Sequence, residues 1–214
     1  MLFNLFSDPL LTLVWVFAFI TALTFHEFSH ALVAKLQGDD TSERMGRLTL
    51  NPIPHIDLIG LMAALLAGFG WAKPVPYNPY NLRNQKWGPV LVALAGPFSN
   101  LLLFFIVGLT YKGLAMAGLM ASSSALAGFL GALMAVNVVL FAFNLIPLPP
   151  LDGSKILILL LQHPRYMHAR VWLETRGPTA LLIAILADSL LLRGQIFGTI
   201  VNTLSNLAFS VLGF

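Results

Sequence analysis

Between Leu10 and Leu36 the chain places only two charged side chains, Glu27 and Lys35, in an otherwise apolar run. At about 1.5 Å of rise per residue, a helix of that length crosses the ~30 Å hydrocarbon layer of a bilayer. Lipid offers no partner to backbone N–H and C=O groups, so such a run can cross only as a helix or within a closed barrel. The pattern recurs: 87–111 and 125–146 are apolar, and 196–214 is again long enough to span. With 57% hydrophobic and 10% charged residues and a mean hydropathy of +0.82, an ordinary soluble domain is excluded. The expected fold is an all-α polytopic membrane protein with about five transmembrane helices.

The stretches between these runs have their own signatures. Residues 41–54 alternate weakly and end in Asn51-Pro52, which predicts a short membrane-associated β element and a turn. Residues 56–69 are apolar but only about fourteen long, too short to cross, and predict a re-entrant segment. Residues 71–86, rich in Pro, Tyr and Asn, predict an extended loop. The third span runs into Pro147-Leu148-Pro149-Pro150-Leu151-Asp152-Gly153 before turning apolar again over 155–161; unwound chain at that depth has to line a cavity or be buried in protein. Residues 178–192 and 196–214 predict two further C-terminal helices. The first run lacks a basic leader, so a cleaved signal is not expected. The whole, 1–214, is expected to be one membrane domain with its core in 10–160 and additional helices in 178–214.

Net charge is +3, with no basic cluster interleaved with aromatics, so nucleic acid is not expected as a partner. The basic residues read instead as topology markers. With the first span running from outside to cytoplasm, Lys35, Arg44, Arg47, Lys73, Arg83, Lys86, Arg165, Arg170 and Arg176 all fall inside. Lys112 and Arg193 fall outside and Lys155 lies in the broken span. Five spans then put the amino terminus outside and the carboxyl terminus inside the cell, with the end of the first span nearer the cytoplasmic side.

The chemistry is concentrated in His26-Glu27-Phe28-Ser29-His30, an H-E-x-x-H pattern within the first span. Residues four apart share one face of a helix, so His26 and His30 can hold one metal ion. Glu27 is then placed to take a proton from a water activated by that ion. Histidines lining a polar cavity would produce the same local pattern, but ionisable groups in a bilayer span are costly and usually functional. A catalytic zinc has three protein ligands as a rule, and with no cysteine in the chain the third is a histidine or a carboxylate. Asp152 is the best candidate; a simple helix cap for the segment after Gly153 is the other reading.

Together, His26-Glu27-Phe28-Ser29-His30 and Asn144-Leu145-Ile146-Pro147-Leu148-Pro149-Pro150-Leu151-Asp152-Gly153 resemble the site-2 protease family of intramembrane zinc metalloproteases. Ala95-Gly96-Pro97-Phe98-Ser99-Asn100, in the span between, resembles the same family. The resemblance covers roughly 10–160 and implies one Zn2+ on His26, His30 and Asp152, with Glu27 as general base. It further implies that Asn144 steadies the substrate carbonyl, that substrates are single-span membrane proteins, and that the chain, without a PDZ-like insertion or nucleotide-binding domain, is like the minimal prokaryotic branch.

Weaker expectations concern substrate contacts. His55 either shapes the approach to the metal or bonds to backbone in its loop. Gly46 and Leu48, with Pro74 and Pro76, could pair with an unwound substrate by edge addition, or merely pack at the interface. Asn100 is a further candidate for substrate binding, though it and Asn137 also suit interhelical hydrogen bonds. The lipid bilayer and a second copy of the chain complete the expected partners. A metal or ion transporter using the same His and Asp residues, and a non-catalytic scaffold that binds substrate helices, are the alternatives of other classes.

Overall fold

A computed structural model of the chain describes residues 8–67, 70–122 and 124–213. Helix α1 (Pro9–Leu36) starts where Asp8 accepts a hydrogen bond from the Leu11 N–H at 3.0 Å and Pro9 occupies the first turn, where its missing N–H costs nothing. It ends at Gln37, where Gly38 takes a positive φ of 102° and turns the chain. After the single turn α2 (Thr41–Arg44) and a 3-10 turn at Ile53–His55 come α3 (Leu58–Ala67) and the long α4 (Gly88–Met116). Then follow α5 (Ala125–Asn144), the short α6 (Ser154–Leu160), α7 (Met167–Leu191) and α8 (Gln195–Leu212).

Helices α1, α4 and α5 form the central bundle. His26 faces Asn100 while Gln37, at the end of α1, reaches the Gly88 carbonyl at 3.3 Å, so α1 and α4 are antiparallel. Asn100 meets Asn137, and Phe98 meets Phe141, so α5 returns antiparallel to α4. Two ends are thereby defined. The end of α1, the start of α4 and the end of α5 share one, called here the loop end; a dry core of Ala18, Ala22, Phe104, Val107, Leu130 and Met134 fills the bundle toward the other. The small Ala18 and Ala22 let α1 approach its neighbours closely.

The long connection from α1 to α4 is pinned by Asp39, which is fully buried. Its carboxylate accepts hydrogen bonds from Thr41 Oγ1 at 2.6 Å, the Asn78 N–H at 2.7 Å and Asn81 Nδ2 at 2.9 Å. Burial alone would push this carboxyl up, but those donors together hold it below its ordinary value. One ionised side chain therefore fastens the loop 78–82 to the end of α1.

Two expectations change. Among the described residues there is no strand: 46–50 is turn and bend, with Gly46 at φ 69°. The two segments expected to offer an edge are tied instead by side chains, Arg47 Nη2 donating to the Lys73 carbonyl and Ser42 Oγ to that of Pro76. Pro74 and Pro76 have no N–H to contribute to a ladder, which explains the preference. The segment expected to be re-entrant contains α3, ten residues long and thus too short to cross, while 68–69 lie outside the described residues.

The second change concerns the spans. Four helices, α1, α4, α5 and α8, are long and apolar enough to cross a membrane, whereas α7 is not. The apolar 178–191 continues a polar half that carries Arg170, Glu174 and Arg176. Gly177 lies so close to Pro149 that an added Cβ would stand 2.9 Å from its Cδ. Further along, the buried Asp188 accepts from the N–H groups of Ile196 and Phe197 at 2.9 and 3.1 Å, capping α8. Phe197 in turn packs on Phe143, with ring centroids 6.1 Å apart, near the last residue of α5. This part of α7 thus begins and finishes at the loop end. Helix α8 then runs back through the bundle to Lys112, whose ammonium caps it by donating to the Leu212 carbonyl.

The first residues of α1 and the last of α8 therefore lie at one end of the bundle, where five spans would put them at opposite ends. Arg193 moves to the loop end, leaving Lys112 as the one basic residue at the other. Fusing a compartment-sensitive reporter to each terminus in turn is expected to give the same side for both; opposite sides would restore a crossing by α7.

Candidate metal centre

His26 and His30 are one turn apart on α1, with ring centroids at 4.6 Å, and both are buried. About 15 Å of helix separates His26 from Leu36, so the pair lies deep within the span. The chain after α5 delivers the third group. From Asn144 it leaves the helix through the prolines and folds back until the Gly153 N–H reaches the Asn144 carbonyl at 2.7 Å. Only glycine fits there: an added Cβ at 153 would stand 2.5 Å from the Leu145 carbonyl carbon. This closed loop holds Asp152 with Oδ2 at 3.1 Å from His26 Nε2 and 3.4 Å from His30 Nε2.

The hydrogen bonds behind the rings determine what faces the centre. His30 Nδ1 lies 2.7 Å from the Val92 carbonyl and His26 Nδ1 lies 2.6 Å from Asn100 Oδ1. Both acceptors require a proton on Nδ1, so each neutral ring turns the lone pair of Nε2 toward the carboxylate. Asp152 Oδ2 is itself buried without a hydrogen bond. Three acceptors thus converge. A proton on one nitrogen would relieve one pair, whereas a divalent cation satisfies all three.

The spacing suits zinc. Ligands about 2.0–2.1 Å from a tetrahedral ion stand roughly 3.3 Å from one another, and the two distances to Asp152 straddle that figure. The donor set, two imidazoles and one carboxylate, is that of a catalytic rather than a structural zinc, since it leaves a fourth position open. His26, His30 and Asp152 form the one such group among the described residues. The helix-cap reading of Asp152 fails, because Gly153 precedes α6 and no side-chain cap bond is made there.

Glu27 is also buried, and its carboxylate accepts no hydrogen bond from the described residues, leaving its lone pairs available. Asn144 is half-buried at the root of the loop; one of its amide hydrogens goes to the Leu140 carbonyl at 3.0 Å and the other is uncommitted. Two side chains of the connection between α1 and α4 sense the charges of the centre. Burial pushes the Tyr77 phenol up, and the Asp152 carboxylate adds to the effect. Burial lowers the Arg47 guanidinium, with Glu27 opposing it. Both groups therefore lie within electrostatic reach of the site.

Two expected substrate contacts are corrected. Asn100 is fully buried behind His26 and holds a ligand ring, so it does not face substrate. His55 is fully buried too, with Nε2 donating to the Thr49 carbonyl at 2.9 Å, the loop role weighed for it above. Gly46 and Pro74 are exposed, Leu48 and Pro76 half-buried, and none bonds to the centre. Gly96 entered the sequence analysis only as part of a segment that resembles the family, with no role of its own. An added Cβ there would stand 2.6 Å from His26 Nε2, so the smallest residue leaves the room the imidazoles occupy. Val92, Gly96 and Asn100 form a four-residue stripe on α4 against the two rings, a periodicity that could have been read directly.

Comparison with known proteins finds relatives named as candidate zinc metalloproteases. Residues 113–184, about a third of the chain and including Asn144 and Asp152 but not the histidines, match peptidase family M50. The chain is 47% identical over 146 residues to YwhC of Bacillus subtilis, named as a candidate zinc metalloprotease, covering 66% of each chain. It is 34% identical over 140 residues to Rip2 of Mycolicibacterium smegmatis, similarly named, covering 63% of this chain and 52% of that one. A similarly named protein of Methanocaldococcus jannaschii is 29% identical over 162 residues, 72% of this chain and 75% of the relative. The matched part of the chain thus spans just under two thirds of the Bacillus relative and about half of the Mycolicibacterium one. No solved structure matches.

Gly96→Ala is expected to abolish tight zinc binding, measured as metal retained by the purified protein. Gly113→Ala, at an open position on the same helix, is expected to leave it unchanged.

Proposed function

The chain belongs to peptidase family M50, the site-2 protease family of zinc metalloproteases, and from that premise we propose that it hydrolyses peptide bonds within membrane-embedded segments of other proteins. The observation that carries the proposal is the triad His26, His30 and Asp152, at tetrahedral spacing about 15 Å inside a bilayer-length helix. A bond cleaved there lies at membrane depth.

Zinc, when bound by these three groups, supplies Lewis acidity, acidifying a water and polarising the scissile carbonyl. The protein's own part follows from its geometry. Glu27, free of competing donors, takes the proton of the attacking water and then delivers it to the leaving amine. The uncommitted amide hydrogen of Asn144 donates to the carbonyl oxygen as negative charge develops on it. Asn100 and the Val92 carbonyl hold the two imidazoles in place throughout. The substrate must unwind locally, because a helical peptide group has its carbonyl engaged and its carbon shielded.

The segments around Gly46, Leu48, Pro74 and Pro76 lie in the connection between α1 and α4 and are proposed as the first surface an unwound substrate meets. The Lys73 and Pro76 carbonyls must be released by Arg47 and Ser42 before they can pair with it. Single-span membrane proteins are the proposed substrates, and a second copy of this chain remains a proposed partner. The excess of basic residues at the loop end supports a multi-pass protein with that end, and the nearer approach to the site, in the cytoplasm and both termini outside. Ion transport is less well supported, since the dry core around Phe104 fills the bundle beyond the site.

The test is Glu27→Gln beside the wild type, each assayed for zinc content and for cleavage of a single-span substrate in detergent or lipid. Equal zinc and a rate lowered by about two to four orders of magnitude are expected, the range for loss of a general acid–base. Cleavage at the wild-type rate would contradict the assignment.

A further inference from the structure

We propose that Asn137, acting through Asn100, sets the tautomer of His26 that leaves Nε2 free for metal; the proposal rests on the zinc reading above. A neutral imidazole carries one proton, and the group opposite Nδ1 decides which nitrogen has it. For His30 that group is the Val92 backbone carbonyl, which can only accept, so the outcome is fixed. For His26 it is a side-chain carboxamide, which has an accepting end and a donating end. Turned the other way, Asn100 would donate to Nδ1, and the proton would move to Nε2, pointing at the metal position and removing a ligand.

What prevents that reversal lies on two other helices. The Asn100 amide hydrogens are both engaged, one by the Ala22 carbonyl of α1 at 3.1 Å and one by Asn137 Oδ1 of α5 at 2.8 Å. The orientation of Asn137 is fixed in turn, because its Nδ2 donates to the Leu133 carbonyl at 2.7 Å. The chain of amides therefore terminates on two backbone carbonyls that cannot change from acceptor to donor. Reversing Asn100 would set its oxygen against the Ala22 carbonyl and Asn137 Oδ1, and reversing Asn137 would set its oxygen against the Leu133 carbonyl and its N–H groups against those of Asn100. Both residues are fully buried, so no described atom outside the chain competes. Simple packing at this interface is met by residues such as Ala18 and Ala22; two buried carboxamides at membrane depth are costly unless they find partners, and here each amide nitrogen and oxygen of the two has at least one. Asn137 never touches the metal. It is a positioning residue.

The experiment measures zinc affinity of the full chain in detergent by competition with a chelator, so the readout is binding and not activity. Loss of an outer partner of a metal-bound imidazole typically costs ten- to a hundredfold in affinity. Asn100→Leu is expected near about a hundredfold and Asn137→Leu near about tenfold weaker. Asn137→Asp, protonated at this depth, keeps an oxygen for Asn100 to donate to and an O–H for the Leu133 carbonyl, and is expected close to the wild type. Val138→Ala, a core truncation at the next residue, reads the effect of packing alone and is expected to bind as the wild type does. Wild-type affinity in Asn137→Leu, or an equal loss in Val138→Ala, overturns the proposal. If Asn137→Leu does not fold, the contrast between Asn100→Leu and Val138→Ala decides in the same way. Weak zinc binding by the wild type would overturn the metal centre itself, and the proposal with it, a result distinct from tight wild-type binding with unaffected variants.

Discussion

A carboxylate held against two imidazole nitrogens, deep in a bilayer-length bundle, is the constraint on which the rest of the structure depends. An unpaired charge at that depth is expensive, so each polar atom has to meet a partner supplied by the chain or by a bound ion. The surrounding architecture follows from that accounting. Val92 and Asn100 occupy the outer nitrogens of the rings, Gly96 leaves space for their inner nitrogens, and Gly153 lets the chain fold back sharply enough to present Asp152. Three helices and one irregular loop converge on a point where three acceptors face one another. Zinc is the partner this arrangement fits.

The same accounting separates the two ends of the bundle. Toward one lies an apolar core with Phe104 at its centre and few polar groups. At the other, Asp39 ties the loop 78–82 to α1, Asp188 caps α8, and Arg47 and Ser42 fasten extended chain to the α2 region. These polar connections can be remade with water or with a substrate backbone, whereas the core cannot open without losing buried apolar surface. A division of that kind suits an enzyme whose substrate and water approach from one end only.

Much of the centre was legible because its information is local. His26, Glu27 and His30 follow from helical periodicity alone, and Asp152 from the incongruity of a carboxylate in an interrupted apolar run. What could not be read was anything settled between elements. Asn100 suited an interhelical hydrogen bond better than a substrate contact, but its partner was settled only by placing α4 against α1, and the orientation of its amide depends on Asn137 of a third helix. The fifth span was inferred from hydropathy over 178–192, which carried no information about the polar turns continuous with it. Asp188 within that stretch was the overlooked signal, a carboxylate suited to capping the helix that begins a few residues later. The strand expected near 46–50 failed for a related reason, since alternation in sequence cannot reveal that the facing segment contains two prolines.

X-ray absorption at the zinc edge of the purified full chain tests the central claim most directly. The account predicts one zinc per chain in a four-coordinate shell of nitrogen and oxygen at about 2.0–2.2 Å, with outer scattering from two imidazoles, and loss of an oxygen ligand or of the metal in Asp152→Ala. Absence of zinc, or a shell without imidazole scattering that is unchanged by Asp152→Ala, would contradict it.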